Sequence, residues 1–167
     1  MPSVTVMGTQ SHSVTLAFSA SANIALAKQL AGAITTAIGA HTLLPFSSLN
    51  GPAPALPPGT KGEFVVASAG ATLLPSGYAA VVVNYPNSFV LGSGDNGESV
   101  LSGSGGMTFF APAGSGTIAA GGGANNIVIA PGSAGAWLIA TGDGDDTILA
   151  NPRYAALHRL VWRRPMG

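Results

Sequence analysis

Short glycine turns alternate with short apolar runs over residues 91–150, and this alternation constrains the fold more than any other feature of the sequence. The spacing of the turns is close to decameric, with one shorter step. They begin at Gly92, Gly103, Gly114, Gly121, Gly132 and Gly142. Because a unit this short cannot bury its apolar side alone, neighbouring units must stack into a solenoid or roll.

The runs between the glycine turns have the composition of short β-strands, with β-branched and aromatic residues. They fall at residues 99–101, 107–110, 117–118, 127–129, 137–139 and 147–149. Further strands are expected at residues 63–67, 78–83 and 88–91. The sequence therefore predicts a mainly β protein whose residues 63–150 form a short parallel β-solenoid, or β-roll.

Residues 1–50 predict a small cap of two strands and a helix. Residues 3–7 and 13–18 alternate polar with apolar side chains, as half-buried strands do, and a hairpin joins them. Residues 23–38 repeat an apolar residue at every fourth position, which indicates an amphipathic helix. A helix lying on a membrane surface would carry several basic residues, whereas Lys28 is the only one here. Packing against the first turn of the solenoid is the favoured role.

Two other segments differ in composition from their neighbours. Residues 51–62 are rich in proline and glycine and predict a linker. Residues 151–167 contain all four arginines, with Leu157, Leu160 and Val161 spaced for one face of a short helix. Such a helix would cover the open end of the solenoid, whose strand edges are otherwise unpaired. The alternative is that this basic tail is foreign to the repeat.

The low charge limits the classes of partner. Only 7% of the residues are charged and the net charge is zero, against about 25% charged residues in ordinary soluble domains. We therefore expect no nucleic-acid partner, and a charge-poor surface favours self-association. There is no cysteine, which excludes disulfides and thiolate metal sites. No apolar run of about 18 residues predicts a membrane span.

Residues 1–10 have neither the basic start nor the apolar centre of a cleavable signal peptide. A cysteine-free, charge-poor repeat is compatible with export. The expected location is therefore extracellular or at the cell surface, reached without a cleavable N-terminal signal peptide.

The strongest local motif is TGDGDDTIL, residues 141–149. It resembles one copy of the glycine- and aspartate-rich nonapeptide of RTX (haemolysin-type) proteins, G-G-x-G-x-D-x-U-x, which builds a calcium-bound parallel β-roll. The matching positions are Gly142, Gly144, Asp146 and Ile148. Degenerate copies occur at residues 120–128, with Asn125 at the aspartate position, and at residues 102–110, with Met107 there.

The resemblance implies a calcium site between turns of different repeats. Its candidate ligands are Asp143, Asp145 and Asp146, which would form a partial site because calcium takes six to eight oxygens. The turn that begins at Gly92 adds Asp95 and Glu98 in a different register. The alternative is that the apolar core alone holds the solenoid and that these acids only solvate the turns. Calcium is the one cofactor considered, and none is required.

Catalysis has little support in the sequence. His12, His41 and His158 are scattered, and none lies near a carboxylate in the chain. No G-x-S-x-G elbow and no strand–G-x-G-x-x-G–helix context is present. Four aromatic residues are candidates for a sugar-stacking platform, although aromatics at strand positions more often pack in a core: Tyr78, Phe109, Phe110 and Trp137. We therefore expect no enzyme and no small-molecule substrate.

These features favour a non-enzymatic structural protein. The first hypothesis is a secreted or surface-exposed bacterial β-solenoid whose partner is itself, assembling into fibres or a biofilm-type matrix. Residues 62–152 contain no lysine or arginine, the residues that usually protect strand edges from such stacking. The alternative is a calcium-binding RTX-like module of an adhesin or exported enzyme.

Overall fold

A computed structural model describes residues 3–9, 12–18, 21–130 and 135–150. Within these ranges the chain forms a β-solenoid with an N-terminal strand–strand–helix cap, so the predicted fold class is confirmed. Residues 151–167, for which a capping helix is predicted, lie outside the described residues, as does part of the turn that begins at Gly132.

Two parallel sheets make the solenoid. The first sheet contains β3 (Leu44–Ser47), β4 (Gly62–Val66), β6 (Tyr78–Val83), β8 (Glu98–Ser102), β10 (Gly116–Ala120) and β12 (Trp137–Ala140). The second sheet contains β5 (Ala71–Leu73), β7 (Ser88–Leu91), β9 (Met107–Ala111), β11 (Asn126–Ile129) and β13 (Thr147–Leu149). From β4 onward the chain passes alternately from one sheet to the other.

One coil therefore contains two strands and two corners. In the first sheet Ser99 pairs with Thr117 on the next coil, and Thr117 pairs with Leu138 on the coil after that. In the second sheet Thr108 pairs with Asn126 in the same way. The near-decameric spacing of the glycine turns thus marks each corner, and two such steps make one coil.

The interior of the solenoid is apolar. Alternate strand residues point inward from both sheets, because the side chains of a strand alternate between its two faces. The inward side chains that form this core include Phe64, Val81, Val100, Phe109, Ile118, Ile127 and Ile139. All of them are almost completely buried.

The cap covers the outer face of the first sheet. Strands β1 (Ser3–Met7) and β2 (Ser13–Ala17) pair antiparallel, which confirms the predicted hairpin, and α1 (Ser21–Gly39) follows. Together with α1 they form a second apolar cluster on outward residues of the first sheet, among them Val82 and Leu101. The main solenoid contacts of α1 are with β8 and β10. The expectation that the helix packs on the first turn is therefore corrected, because the outward apolar residues extend along the sheet.

Strands β3 and β5 were not predicted from the sequence. β3 pairs with β4 and lies at the edge of the first sheet. A short 3₁₀ turn (Ser48–Asn50) and the proline-rich residues 51–61 connect β3 to β4. The hydroxyl of Tyr78 donates a hydrogen bond of 2.7 Å to the carbonyl of Pro54, which fastens this loop to the solenoid.

Candidate functional site

Glycines stack above one another at the corner that leads from the first sheet to the second. A Cβ atom added to Gly121 would lie 2.7 Å from the carbonyl oxygen of Gly103, one coil earlier. A Cβ atom added to Gly142 would lie 2.9 Å from the carbonyl oxygen of Gly121. Only glycine permits backbones to approach this closely. The glycines of the motif therefore have a packing role that is independent of any ligand.

Asp146, the best match to the calcium-binding position, bridges two coils. Its Oδ1 accepts hydrogen bonds from the backbone N–H of Asn125 at 2.9 Å and from Nδ2 of Asn125 at 3.0 Å. The Asn125 side chain is buried and also donates to the carbonyl of Gly121 at 3.0 Å. The aspartate position of the strongest motif copy thus contacts the corresponding position of the weaker copy.

The other two predicted ligands, Asp143 and Asp145, are exposed at the same corner. Throughout the part of the chain that the structure describes, there is no group of three or more His, Cys, Asp or Glu side chains placed to hold a metal ion. Asp146 is already an acceptor for two N–H groups, so fewer of its lone pairs face a cation. A calcium site at these residues stays a prediction.

The opposite corner uses the same kind of contact between coils. Asp95 Oδ2 accepts from the backbone N–H of Gly77 at 2.6 Å, and its Oδ1 accepts from the Ser76 hydroxyl at 3.0 Å. One coil later, the Ser115 hydroxyl accepts from the N–H of Gly97 at 3.1 Å. Asp95, Ser115 and Asp146 therefore each bind backbone donors of the preceding coil.

Glu98 lies inside the solenoid, although the sequence placed it in a solvated turn. It is 1% exposed. It is the first residue of β8 and lies two residues before the inward Val100, so both side chains are on the same face of the strand. Its Oε1 accepts a hydrogen bond of 3.4 Å from the N–H of Ser93, while Oε2 has no hydrogen-bond partner among the described residues. The pKa of Glu98 is raised to about 7, mainly by burial and also by nearby Asp95, while the Ser93 hydrogen bond acts in the lowering direction.

Glu63 is a second buried acid, on the other face of the first sheet. It is 0% exposed and lies on β4 on the same side as Val65, which belongs to the cluster under the cap. Neither carboxyl oxygen has a hydrogen-bond partner among the described residues. Burial raises the pKa of Glu63 to about 8. Both acids are therefore protonated in the folded protein at mildly acidic pH.

Three of the four candidate stacking aromatics are inside the solenoid. Tyr78, Phe109 and Trp137 are buried, and Phe109 packs against Trp137 with ring centroids 5.9 Å apart. Only Phe110 points outward. The hypothesis of a sugar-stacking platform built from these residues is therefore wrong.

One cavity of about 350 Å³ opens beside β5 and the proline-rich loop. Its described lining includes Ser48, Phe64 and Thr72 but no ionisable side chain. His12 and His41 are exposed, and His158 lies outside the described residues. The two buried acids, the cavity, His12 and His41 do not come together in one site.

The outer face of the second sheet carries a continuous apolar row, which we name the outer ladder. Its members are directly paired in the sheet: Leu73, Leu91, Phe110, Val128 and Leu149. Leu73 is 61% exposed and Leu149 is 58% exposed. A second outward row runs beside it and consists of Ala71, Phe89, Thr108, Asn126 and Thr147. Neither row contains an ionisable side chain.

Comparison of the chain with protein-family models, with curated proteins and with solved structures gave no match. In the described part of the chain, none of the helices combines the length with the apolar character that crossing a membrane requires. The geometry of the solenoid and its surfaces is therefore the basis for a functional proposal.

The sequence contains a signal for the outer ladder that the glycine spacing does not reveal. Each member is separated from the next by the length of one coil, which is close to twice the glycine spacing. The glycine spacing marks single corners, so a search at that period alone does not find a row that repeats once per coil.

Proposed function

We propose that this protein is a non-enzymatic structural β-solenoid of a bacterial surface or extracellular matrix, and that it assembles with copies of itself into fibres. The observation that carries the proposal is the free edge of β12, which within the described residues pairs only with β10. Its four residues carry no charge, and outward Leu138 is 38% exposed. An uncharged, exposed strand edge is a template for pairing with another chain.

The opposite end of the first sheet offers a matching edge. Among the described residues β3 pairs only with β4, and Leu44 on β3 is 42% exposed. A copy stacked in the same direction places its β3 beside β12, so that the parallel sheet continues across the contact. This contact is heterologous and does not close, and contacts of that kind produce filaments.

Light scattering and negative-stain microscopy over a range of protein concentrations test the proposal. We expect light scattering to show a particle mass that grows with protein concentration, and microscopy to show filaments of uniform width. The variant Leu138→Lys places a charge at the β12 edge and is expected to shorten or abolish the filaments. Gln29→Lys adds the same charge on the exposed surface of α1 and serves as the matched control. A monodisperse monomer at every concentration would refute axial assembly.

A calcium-binding RTX-like module is the second candidate, favoured by a specific observation. The coil that runs from Thr108 to its partner Asn126 has the length of two nonapeptides. Calorimetry with calcium separates the candidates. Micromolar calcium binding with a gain of β-signal in circular dichroism supports the module. Assembly that is unchanged by calcium and by chelator supports the structural role.

A further inference from the structure

The two sheets of the solenoid differ in what covers them. On the first sheet, outward residues such as Val82 and Leu101 are buried under α1 and the hairpin. On the second sheet, no described element covers the outer ladder, and its neighbour Phe89 is 42% exposed. Within the described residues, one apolar sheet face is thus left without a partner.

The area of this face limits the strength of any contact that it makes with another protein. Five strands about 4.8 Å apart, with about 12 Å of strand length each, present roughly 290 Å². A stable interface buries about 800 Å² on each partner. The outer face of the second sheet is therefore well below the size of a permanent interface, and a contact made through it is weak and reversible.

We propose that this face binds the same face of a second copy, ladder against ladder, in a dimer whose two-fold axis runs along β9. An interface of this symmetry requires a patch that is complementary to itself. The outer ladder meets this requirement because Phe110 is its middle member and two aliphatic residues lie on each side. Rotation about β9 places Phe110 against Phe110 of the partner subunit, and Leu73 against Leu149 of the partner subunit.

An axis along β9 is favoured over one along the outer ladder. Rotation about the ladder itself also superposes the two ladders, but it removes the overlap of the second outward row. Rotation about β9 keeps both rows within the interface, so it buries more area. Two sheets packed this way lie about 10 Å apart with nearly aligned strands.

This inference rests on the proposed self-association and gives it a lateral contact, separate from the axial contact at β12. Because the face carries no charge, we expect the dimer to be insensitive to salt. We expect it to dissociate on dilution, since the buried area is small.

Cysteine cross-linking tests the register, because the natural chain has no cysteine. Phe110→Cys is expected to give a covalent dimer with a short thiol cross-linker. Leu73→Cys and Leu149→Cys are each expected to cross-link poorly alone and efficiently when mixed. Ala25→Cys, exposed on α1, is the control and is expected to remain monomeric.

Each alternative result has a defined meaning. Efficient cross-linking of Leu73→Cys with itself would overturn the axis along β9, and equal cross-linking of all variants would indicate non-specific aggregation and overturn the dimer. Thiol labelling of Phe110→Cys gives a second readout that is expected to slow as protein concentration rises. Slow labelling that is independent of concentration would show that the chain covers this face itself, and would also overturn the proposal.

The lateral and axial contacts can fail separately. Filaments without the Phe110→Cys cross-link would overturn the dimer and leave fibre assembly standing. The specific cross-link in a protein that never exceeds a dimer would support the face-to-face contact and refute the fibre.

Discussion

Asp146 and Asn125 lie on consecutive coils, and the carboxylate of Asp146 accepts both the backbone N–H and the side-chain amide N–H of Asn125, at 2.9 and 3.0 Å. Hydrogen bonds to a charged acceptor are stronger than neutral ones. The residue that most resembles a calcium ligand therefore stabilises the solenoid without an ion.

Replacing Asp146 by alanine removes this bridge. The backbone N–H of the buried Asn125 then loses its acceptor, and an unsatisfied buried donor costs about 1–3 kcal/mol. We expect the free energy of unfolding of Asp146→Ala to fall by that amount in calcium-free urea denaturation. Asp145→Ala, an exposed change at the same corner, is the control and is expected to stay within about 0.5 kcal/mol of the parent. Equal effects of the two changes would contradict the bridging role.

Two glycine-to-alanine changes are expected to have opposite signs. In Gly121→Ala the new methyl group meets the backbone of Gly103, with 2.7 Å to its carbonyl oxygen, so the coils must separate. We expect a loss of about 2 kcal/mol or more, the range of overpacked cores. In Gly32→Ala the methyl group has no atom within 4 Å on α1, so helix propensity should stabilise the protein by about 0.5–1 kcal/mol. Thermal unfolding measures both, and similar effects would argue against close stacking of the coils.

Tyr78→Phe tests how firmly the proline-rich loop is attached. The change removes the 2.7 Å hydrogen bond to the Pro54 carbonyl but keeps the buried ring, which contacts Phe46 and Phe64 edge-on. A hydrogen bond of this kind contributes about 1 kcal/mol. We expect that loss of stability together with faster proteolysis at residues 51–61. Tyr85→Phe removes a hydroxyl from a 38% exposed ring and is the control, for which no change is expected.

The glycine spacing predicted the solenoid because close stacking leaves a repeated mark in the sequence, as at Gly121 and Gly142. Strand β3 escaped prediction because it contains Pro45, and a proline within a run argues against a strand except at a sheet edge, which is where β3 lies. β5 has only three residues, and its burial runs opposite to its polarity, since Thr72 is buried while Ala71 and Leu73 are exposed.

The two buried acids were missed for different reasons. The sequence groups Glu98 with the turn that begins at Gly92, although its even spacing from Val100 and Ser102 shows that it shares their face. Glu63 could not have been identified, because the cap that buries it comes from a distant part of the chain. Local patterns determine which face a residue occupies, whereas tertiary packing determines whether that face is covered.

The two buried acids contribute stability at low pH that is lost as the pH rises. Both carboxyls have an ordinary pKa of 4.5 when exposed, and in the folded protein burial raises the pKa of Glu98 to about 7 and that of Glu63 to about 8. Below pH 4.5 both groups are protonated in the folded and unfolded chain, so their full contribution is present. As the pH rises, the unfolded chain releases protons first, and each group lowers the free energy of unfolding by about 1.4 kcal/mol per pH unit until its folded pKa is reached.

Glu98→Gln isolates one part of this dependence. The amide has the same shape but does not ionise. When the free energy of unfolding is measured in urea between about pH 4 and pH 9, the variant should therefore lack the decrease with pH that Glu98 causes up to about pH 7. The difference between variant and parent should reach about 3 kcal/mol at high pH, since burial of a charge is avoided. The slope that remains in this variant should continue to near pH 8 and should disappear when Glu63→Gln is added to it. Stability that rises with pH over this interval would show that neither carboxyl keeps its proton in the folded protein.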